Sequence, residues 1–541
     1  MKNKINLSKW VIMGLGIGLL SSCSDSIMNR INNNPDNPLT AASKFVVSDL
    51  ETSTAFNVVG SDLSFYASLY MEHEVGTYGQ MYDAELRQTQ PTSATTYDNA
   101  WIYLYNNLKN AKIVINNCSA GGPEAGNYAT RGVAEVLAAY NSAIIADMFG
   151  DAPYSQAADL NIPAPGSHLN PAVDSQQSIY QAVFAYLNQA ISDLQKSDGA
   201  ATGPLGPHDF IFGNFHNPNA QWLKFAYGLK ARYTMHLLAR SSNPTQDLQN
   251  IITWANQSFN SASDDAKYAV YQGIGSAAAS PFAQFFNDRD YFSVSQSFVD
   301  KLLNRNDPRA GVLFMNYASP TETYPNGYYL VDSGTAASIY AAPNGNPVQQ
   351  MDVYDVSVYS AAAMVPTDLL SYHELQFLKA EAFARLGNQD SAWACMSNGV
   401  RSCIATKIPT LVNDVNQELI ASTYPVVGAS TIPDSVVVNY LNTNVKRLFL
   451  ANPLREVMVQ KYLAFYGGEG EALEAYNDYR RLKAMGQSSF ITLENPLDAT
   501  KFPLRYTYGT SDVTANPNVA KAYGNGQYVY TAPVWWAGGN N

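Results

Sequence analysis

Charge is scarce in this chain: Asp, Glu, Lys and Arg together make 14% of its 541 residues. What charge there is leans acidic, at −12 overall. Such a surface repels nucleic acid, and no long Lys/Arg run offsets it. Cysteine is nearly absent, with four residues: Cys23, Cys118, Cys395 and Cys403. The last two fall on one predicted helix, roughly 12 Å apart by helical rise, which is beyond disulfide reach. Buried free thiols are expected, with no disulfide framework. Histidine is scarce too, with six, and none stands in H-E-x-x-H or another tight ligand spacing. In Glu72-His73-Glu74, neighbours on a helix point apart. No metal and no cofactor are expected. No G-x-S-x-G, P-loop or G-x-G-x-x-G motif occurs past the N-terminal segment. No catalytic residue is assigned, although glycosidase carboxylate pairs are invisible in sequence alone.

Long apolar runs are also missing, save one at the start. Lys2, Lys4 and Lys9 give a positive N-terminus, and Trp10–Leu20 is apolar. That run of about 11 residues is too short to span a bilayer and suits a signal-peptide core. Leu20-Ser21-Ser22-Cys23 follows and resembles a bacterial lipobox, with cleavage before Cys23 and lipid on its thiol. Residues 1–22 are then a signal, and removing its lysines takes the charge from −12 to −15. Residues 23–39, rich in Asn and Pro, read as a flexible tether. The expected product is a water-soluble body anchored to a membrane through lipid, outside the cytoplasm.

The body, 40–541, is expected to be one mainly α domain. Helical periodicity begins near Thr40 and recurs over Asp62–Val75, Thr96–Asn117, Arg131–Phe149, Ser178–Leu194, Asn219–Arg240, Gln246–Phe259, Tyr372–Leu386, Ser391–Ile404, Val445–Tyr466 and Glu471–Met485. Helix, short turn, helix, repeated, is the pattern of a tetratricopeptide-like helical-repeat stack. Gly76–Thr92 reads as a loop. Residues 264–367, broken by Gly and Pro, read as a large irregular insertion with short strands. Ser488–Asn541 reads as a loop-rich tail.

Five segments carry a family resemblance. They are the lipobox with Ile31–Pro38; Arg131–Ala157, ending Phe149-Gly150-Asp151-Ala152-Pro153-Tyr154; Trp222-Leu223-Lys224-Phe225-Ala226 with Leu229-Lys230-Ala231-Arg232; Phe377-Leu378-Lys379-Ala380-Glu381-Ala382 with Arg385-Leu386-Gly387; and Gln460-Lys461-Tyr462 with Glu474–Arg481 and Pro503–Tyr506. In this order they resemble the SusD/RagB superfamily, specifically the SusD-like outer-membrane lipoproteins of Bacteroidetes. Tyr476 stands where that family usually has Trp, and Leu504 where Arg is common. Glu381 and Arg385, at i and i+4, are expected to pair on one helix. Glu474, Arg480 and Arg481 join them as scaffold residues. One of the two arginines is expected to form a buried bidentate pair that locks its helix to the tail.

The resemblance implies a non-enzymatic nutrient-binding protein at the outer membrane, facing the cell exterior. It would capture an oligosaccharide or peptide and deliver it to a SusC-like TonB-dependent outer-membrane transporter. An extracytoplasmic glycan- or peptide-degrading hydrolase is one alternative, and a structural interaction protein without small ligand is another. Aromatics are 12% of residues, with 36 Tyr. Glycans present apolar ring faces and polar edges, so loop aromatics are the better ligand candidates. These are Tyr78 and Tyr82 in Gly76–Thr92, and Tyr324, Tyr328 and Tyr329 in the insertion.

Overall fold

Asn-Pro is a helix start in this protein. Asn217, Asn243, Asn452 and Asn516 each accept a backbone N–H from the first turn, and Pro218, Pro244, Pro453 and Pro517 stand at the first helical position. Proline has no N–H to leave orphaned there, and the Asn side chain satisfies one of the free donors. The computed structural model describes residues 41–540 apart from 77–78, 95–96, 159, 161–168, 200–204, 274, 290, 317–354, 358–361, 422–430, 468 and 495–499. Cys23, the tether, Tyr78, Tyr324, Tyr328 and Tyr329 lie outside the described residues.

Helices α1 (Ser43–Ser53) and α2 (Asp62–Tyr70), strand β1 (Glu74–Gly76) and helix α3 (Gly79–Leu86) come first. Then come α4 (Asp98–Cys118), α5 (Tyr128–Phe149), the short strands β2 (Ala152–Pro153) and β3 (Val173–Asp174), α6 (Gln176–Leu194), α7 (Pro218–His236) and α8 (Pro244–Gln257). The next stretch holds β4 (Ala266–Tyr268), α9 (Pro281–Arg289), β5 (Phe292–Val294), α10 (Gln296–Leu303), β6 (Phe314–Asn316), β7 (Asp355–Ser357) and β8 (Thr367–Leu370). The last helices are α11 (Tyr372–Arg385), α12 (Gln389–Ala421), α13 (Asp434–Tyr440), α14 (Lys446–Ala451), α15 (Pro453–Ala464), α16 (Glu469–Ala484), α17 (Thr510–Ala515) and α18 (Pro517–Tyr523).

Each long helix packs on the next. The order runs α1, α4, α5, α6, α7, α8, α11, α12 and α15, and α16 returns to pack on α2. The fold is the mainly α stack expected from periodicity. Helix α5 is its centre. It is long and apolar enough to cross a membrane, yet its most apolar 18-residue window is wholly buried inside the body. A helix apolar all round belongs in the middle of a core.

The structure departs from the sequence reading in several places. The helix expected over Asp62–Val75 ends at Tyr70, with β1 opening at Glu74, and the one expected over Val445–Tyr466 is broken at Asn452 into α14 and α15. Gly76–Thr92 is not all loop: it holds α3, whose Met81 and Glu85, at i and i+4, are buried. The stretch after Asp264 holds two helices, α9 and α10, beside its strands. Helix α12 continues past Ile404 to Ala421, through Pro409. Ile408, Leu411, Val412 and Val415 are each 2% exposed or less; their burial outweighs the lost hydrogen bond at proline. Cys118, Cys395 and Cys403 are free, and Cys118 and Cys403 are buried.

The strands form antiparallel pairs: β1 with β5, β2 with β3, β4 with β8 and β6 with β7. Two of these pairs fix the inserted stretch on the helical stack. β1·β5 ties the segment after α2 to the segment after α9. β4·β8 brings together the two ends of the stretch between α8 and α11.

Candidate functional site

Gly76 is forced by geometry. A Cβ there would lie 2.1 Å from the carbonyl oxygen of Met81, so only glycine lets the chain fold back from β1 into α3. Gly79 has φ +53°, and a Cβ on it would strike the ring of Tyr291 at 2.7 Å. Two glycines thus press the start of α3 against the end of α9 and β5. Gly76 pairs with Phe292 across the ladder.

Beneath this junction the rings are buried. Phe282 stacks on Phe292, with centroids 4.9 Å apart and planes 8° apart, and Phe65 meets Phe282 edge-on at 5.4 Å. Outward, the rings are half-buried. Phe285 meets Tyr291 edge-on at 5.8 Å, and the exposed Arg289 guanidinium lies 5.7 Å from the Phe285 ring and 5.9 Å from that of Tyr291. Tyr82 stands on α3 one turn beyond Gly79 and is also half-buried. Burial, and then the Asp83 charge, push its phenol above the ordinary value, so it stays a neutral hydroxyl. Asn287 and Asp288 are exposed at the end of α9, and Gln284 donates to Asp288 at 2.8 Å. The junction therefore offers flat apolar faces and polar edges, with a neutral hydroxyl one turn along α3, a combination that suits a sugar ring.

Of the five tyrosines singled out from sequence, Tyr82 stands on α3, the helix whose first residue touches Tyr291, and the others lie outside the described residues. Sequence reading missed Phe285, Arg289 and Tyr291. Their signal was present in the aromatic run Phe282, Phe285, Phe286, Tyr291, Phe292, but nothing local says which of those rings face outward.

The scaffold residues meet far from the junction in sequence. Arg481 is 0% exposed and donates both terminal nitrogens to Glu381 of α11, at 2.6 and 2.7 Å. Arg385 adds a third bond to Glu381 at 2.8 Å. The bidentate partner of Arg481 is thus a helix one hundred residues earlier, not the tail. The tail is reached by Arg480, which donates to the carbonyls of Asp147, at 2.7 Å, and Leu504, at 3.2 Å. Spacing in sequence shows only neighbours on the same helix, which is why the longer pairing was not visible. Glu474 accepts from His236 Nε2 at 2.7 Å, and Asp147 faces the other ring nitrogen at 3.1 Å. Burial alone would lower the His236 pKa, but Glu474, followed by Asp147, raises it to about 9.

One cavity stands apart from the junction. It has a volume of about 50 Å³ and is lined by Asp265, Lys267, Asp368, His373, Lys407 and Glu471 among others. A water needs about 10–15 Å³ of such space, so the cavity has room for a few waters.

Comparison with known proteins settles the family. A family model described as starch-binding and associating with the outer membrane matches residues 36–509. A SusD/RagB family protein from Bacteroides thetaiotaomicron is 42% identical, with a TM-score of 0.82 over 93% of this chain and 100% of that one. The chain belongs to the SusD-like family. A SusD homologue from Bacteroides fragilis, 18% identical, shares the fold at a TM-score of 0.67 over 93% of this chain and all of that one. A chitin-binding SusD homologue from Flavobacterium johnsoniae, 18% identical, does so at 0.63 over 91% of this chain and 98% of that one. Among curated proteins no sequence match is found. SusD-like proteins are carbohydrate-binding nutrient proteins associated with the outer membrane.

Proposed function

We propose that this SusD-like chain is a lipid-anchored protein of the cell surface that captures an oligosaccharide and passes it to a SusC-like TonB-dependent transporter, without turning the glycan over. The observation that carries the binding step is the junction where half-buried Phe285 and Tyr291 meet beside Arg289, with half-buried Tyr82 one turn along α3 from the glycine that touches Tyr291. The anchor rests on the order of basic start, short apolar core, small pair and Cys23. The partner rests on family membership. Tyr78, Tyr324, Tyr328 and Tyr329 belong to the same proposal as further ring contacts. A peptide ligand would use the same rings, and the binding screen separates the two.

The binding step is tested with Tyr82→Ala, Tyr291→Ala and the double variant. Each single change should weaken binding to a responsive neutral polysaccharide about tenfold, the loss of one stacked ring. Melting should be unchanged in Tyr82→Ala and modestly lowered in Tyr291→Ala, whose ring also packs on Phe285. Affinity electrophoresis across a polysaccharide and peptide panel reads the result. A double variant that folds and binds as tightly as wild type would remove the platform. Release of shortened products from the glycan would instead favour a hydrolase.

For the anchor, Cys23→Ala should abolish fatty-acid labelling and shift the protein out of the membrane fraction. Equal label in both forms would sink that part. Failure to co-purify with any outer-membrane barrel would count against the transporter.

A further inference from the structure

The small cavity holds an uneven set of charges. Asp265 immediately precedes β4, Asp368 lies on β8 and Glu471 lies on α16. Lys407 of α12 and His373 of α11 both pair with Glu471, at 2.6 and 2.5 Å. Among the described residues, no cation reaches ion-pair distance of Asp265 or Asp368. Lys267 stands opposite Asp368 across the β4–β8 ladder, but its side chain is exposed. Asp265 is 7% exposed and accepts one backbone N–H, from Tyr372 at 2.6 Å. Asp368 is half-buried.

Two carboxylates in one small cavity, with the nearest cations already engaged, cannot both ionise without a large desolvation and repulsion cost. We propose that Asp265 and Asp368 hold one proton between them, and that this proton fastens the β4–β8 base of the inserted stretch to the helical stack, so that the base opens more readily as pH rises. Every charged group facing the pair contributes. Glu471 opposes ionisation, while Lys407, His373 and Lys267 favour it. Burial, then Asp368, pushes Asp265 up to about 8. Asp368 is raised by burial first and then by Glu471.

The sign comes from linkage. A carboxyl raised in the folded state is held best in its neutral form. Its contribution is full below the ordinary value of 3.8 and is lost as pH rises to about 8. Between those limits each pH unit changes the opening equilibrium by up to about tenfold. The stretch between β4 and β8 carries α9 and β5, and with them Phe285, Arg289 and Tyr291. The consequence for glycan capture rests on the proposed ring platform, but the opening itself does not.

Native-state hydrogen exchange of the full chain tests it, read at the amides of β4 and β8 from pH 5 to 9 and corrected for intrinsic rates. In wild type the opening constant should rise by up to about tenfold per pH unit and level off above pH 8. In Asp368→Asn, and independently in Asp265→Asn, the rise should flatten, because Asn stays neutral throughout. Asp368 is the less buried of the two, so its variant keeps the test available if Asp265→Asn does not fold. A flat wild-type profile, or variants that keep the wild-type slope, would overturn the proposal. Neutral glycan binding measured in parallel shows whether the platform reading stands or falls by itself.

Discussion

Arg481→Met should cost about 3 kcal/mol of unfolding free energy, read from urea titrations at pH 7. Arg481 and Glu381 are each 0% exposed and joined by two hydrogen bonds, at 2.6 and 2.7 Å. Taking away the arginine leaves a carboxylate in the interior with Arg385 as its one remaining ion-pair partner among the described residues. The cost is that of stranding a buried charge, not the net worth of the pair. The double variant Glu381→Leu, Arg481→Met should therefore recover part of the loss. A double variant as unstable as the sum of both single ones would show that packing, not charge pairing, sets the effect. The pH dependence has a definite sign. Burial would raise the Glu381 carboxyl, but Arg481 and then Arg385 reverse this and hold it well below the usual range. Its contribution is present above the ordinary value of 4.5 and is lost as pH falls further. The gap between wild type and Arg481→Met should close in acid.

Trp536→Ala should be at least as damaging, at about 3–5 kcal/mol by the same measurement. Trp536 lies in the tail and is 0% exposed. Its indole Nε1 donates to Asp147 Oδ1 at 2.8 Å, its backbone N–H donates to Gln176 at 3.0 Å, and the Arg480 guanidinium lies 4.9 Å from its ring. Tyr180 also donates to Asp147, and His236 faces it at 3.1 Å. The tail residue thus fills a cavity and completes a polar cluster at once. Trp536→Phe keeps most of the ring and loses the donor, so it should cost about 1–2 kcal/mol. If Phe is as harmful as Ala, the hydrogen bond and not the volume dominates. The cluster has its own pH signature. A histidine raised to about 9 contributes fully below its ordinary 6.5 and loses that contribution as pH climbs through 9. Wild-type stability should fall over that window, and Asp147→Asn should flatten the fall.

Much of the helical plan was legible one residue at a time. The apolar stripe through Val133, Val136, Leu137 and Ile144 marks α5; the Asn-Pro starts of α7, α8 and α15 were there to read as well, but periodicity alone ran through the one at Asn452. Both signals are local: periodicity reports a buried face, and a cap reports an unsatisfied N–H. The tail gave one cap, Asn516-Pro517, and no apolar stripe. Tyr506, 0% exposed and stacked on Tyr97 at 3.9 Å, and Trp536 are core residues in a stretch with no long periodic segment. Loop composition does not reveal burial when the partners are hundreds of residues away. The candidate site shows the same limit. Tyr82 was nominated because it sits among turn residues, whereas Tyr291 and Arg289 became candidates only once β1 paired with β5.

The sequence by itself determined the class of molecule: an acidic, cysteine-poor, mainly helical chain that resembles SusD-like proteins through motifs spread along most of its length. Those are properties of composition, spacing and order, which a linear string carries in full. Tertiary structure decided which groups face each other. It set Arg481 against Glu381, Trp536 against Asp147 and Asp265 beside Asp368, and it turned Phe282 inward and Tyr291 outward within one aromatic run. Charge pairing, desolvation and ring exposure depend on distances of a few ångström between segments far apart in the chain, and those distances exist only after the helices have packed.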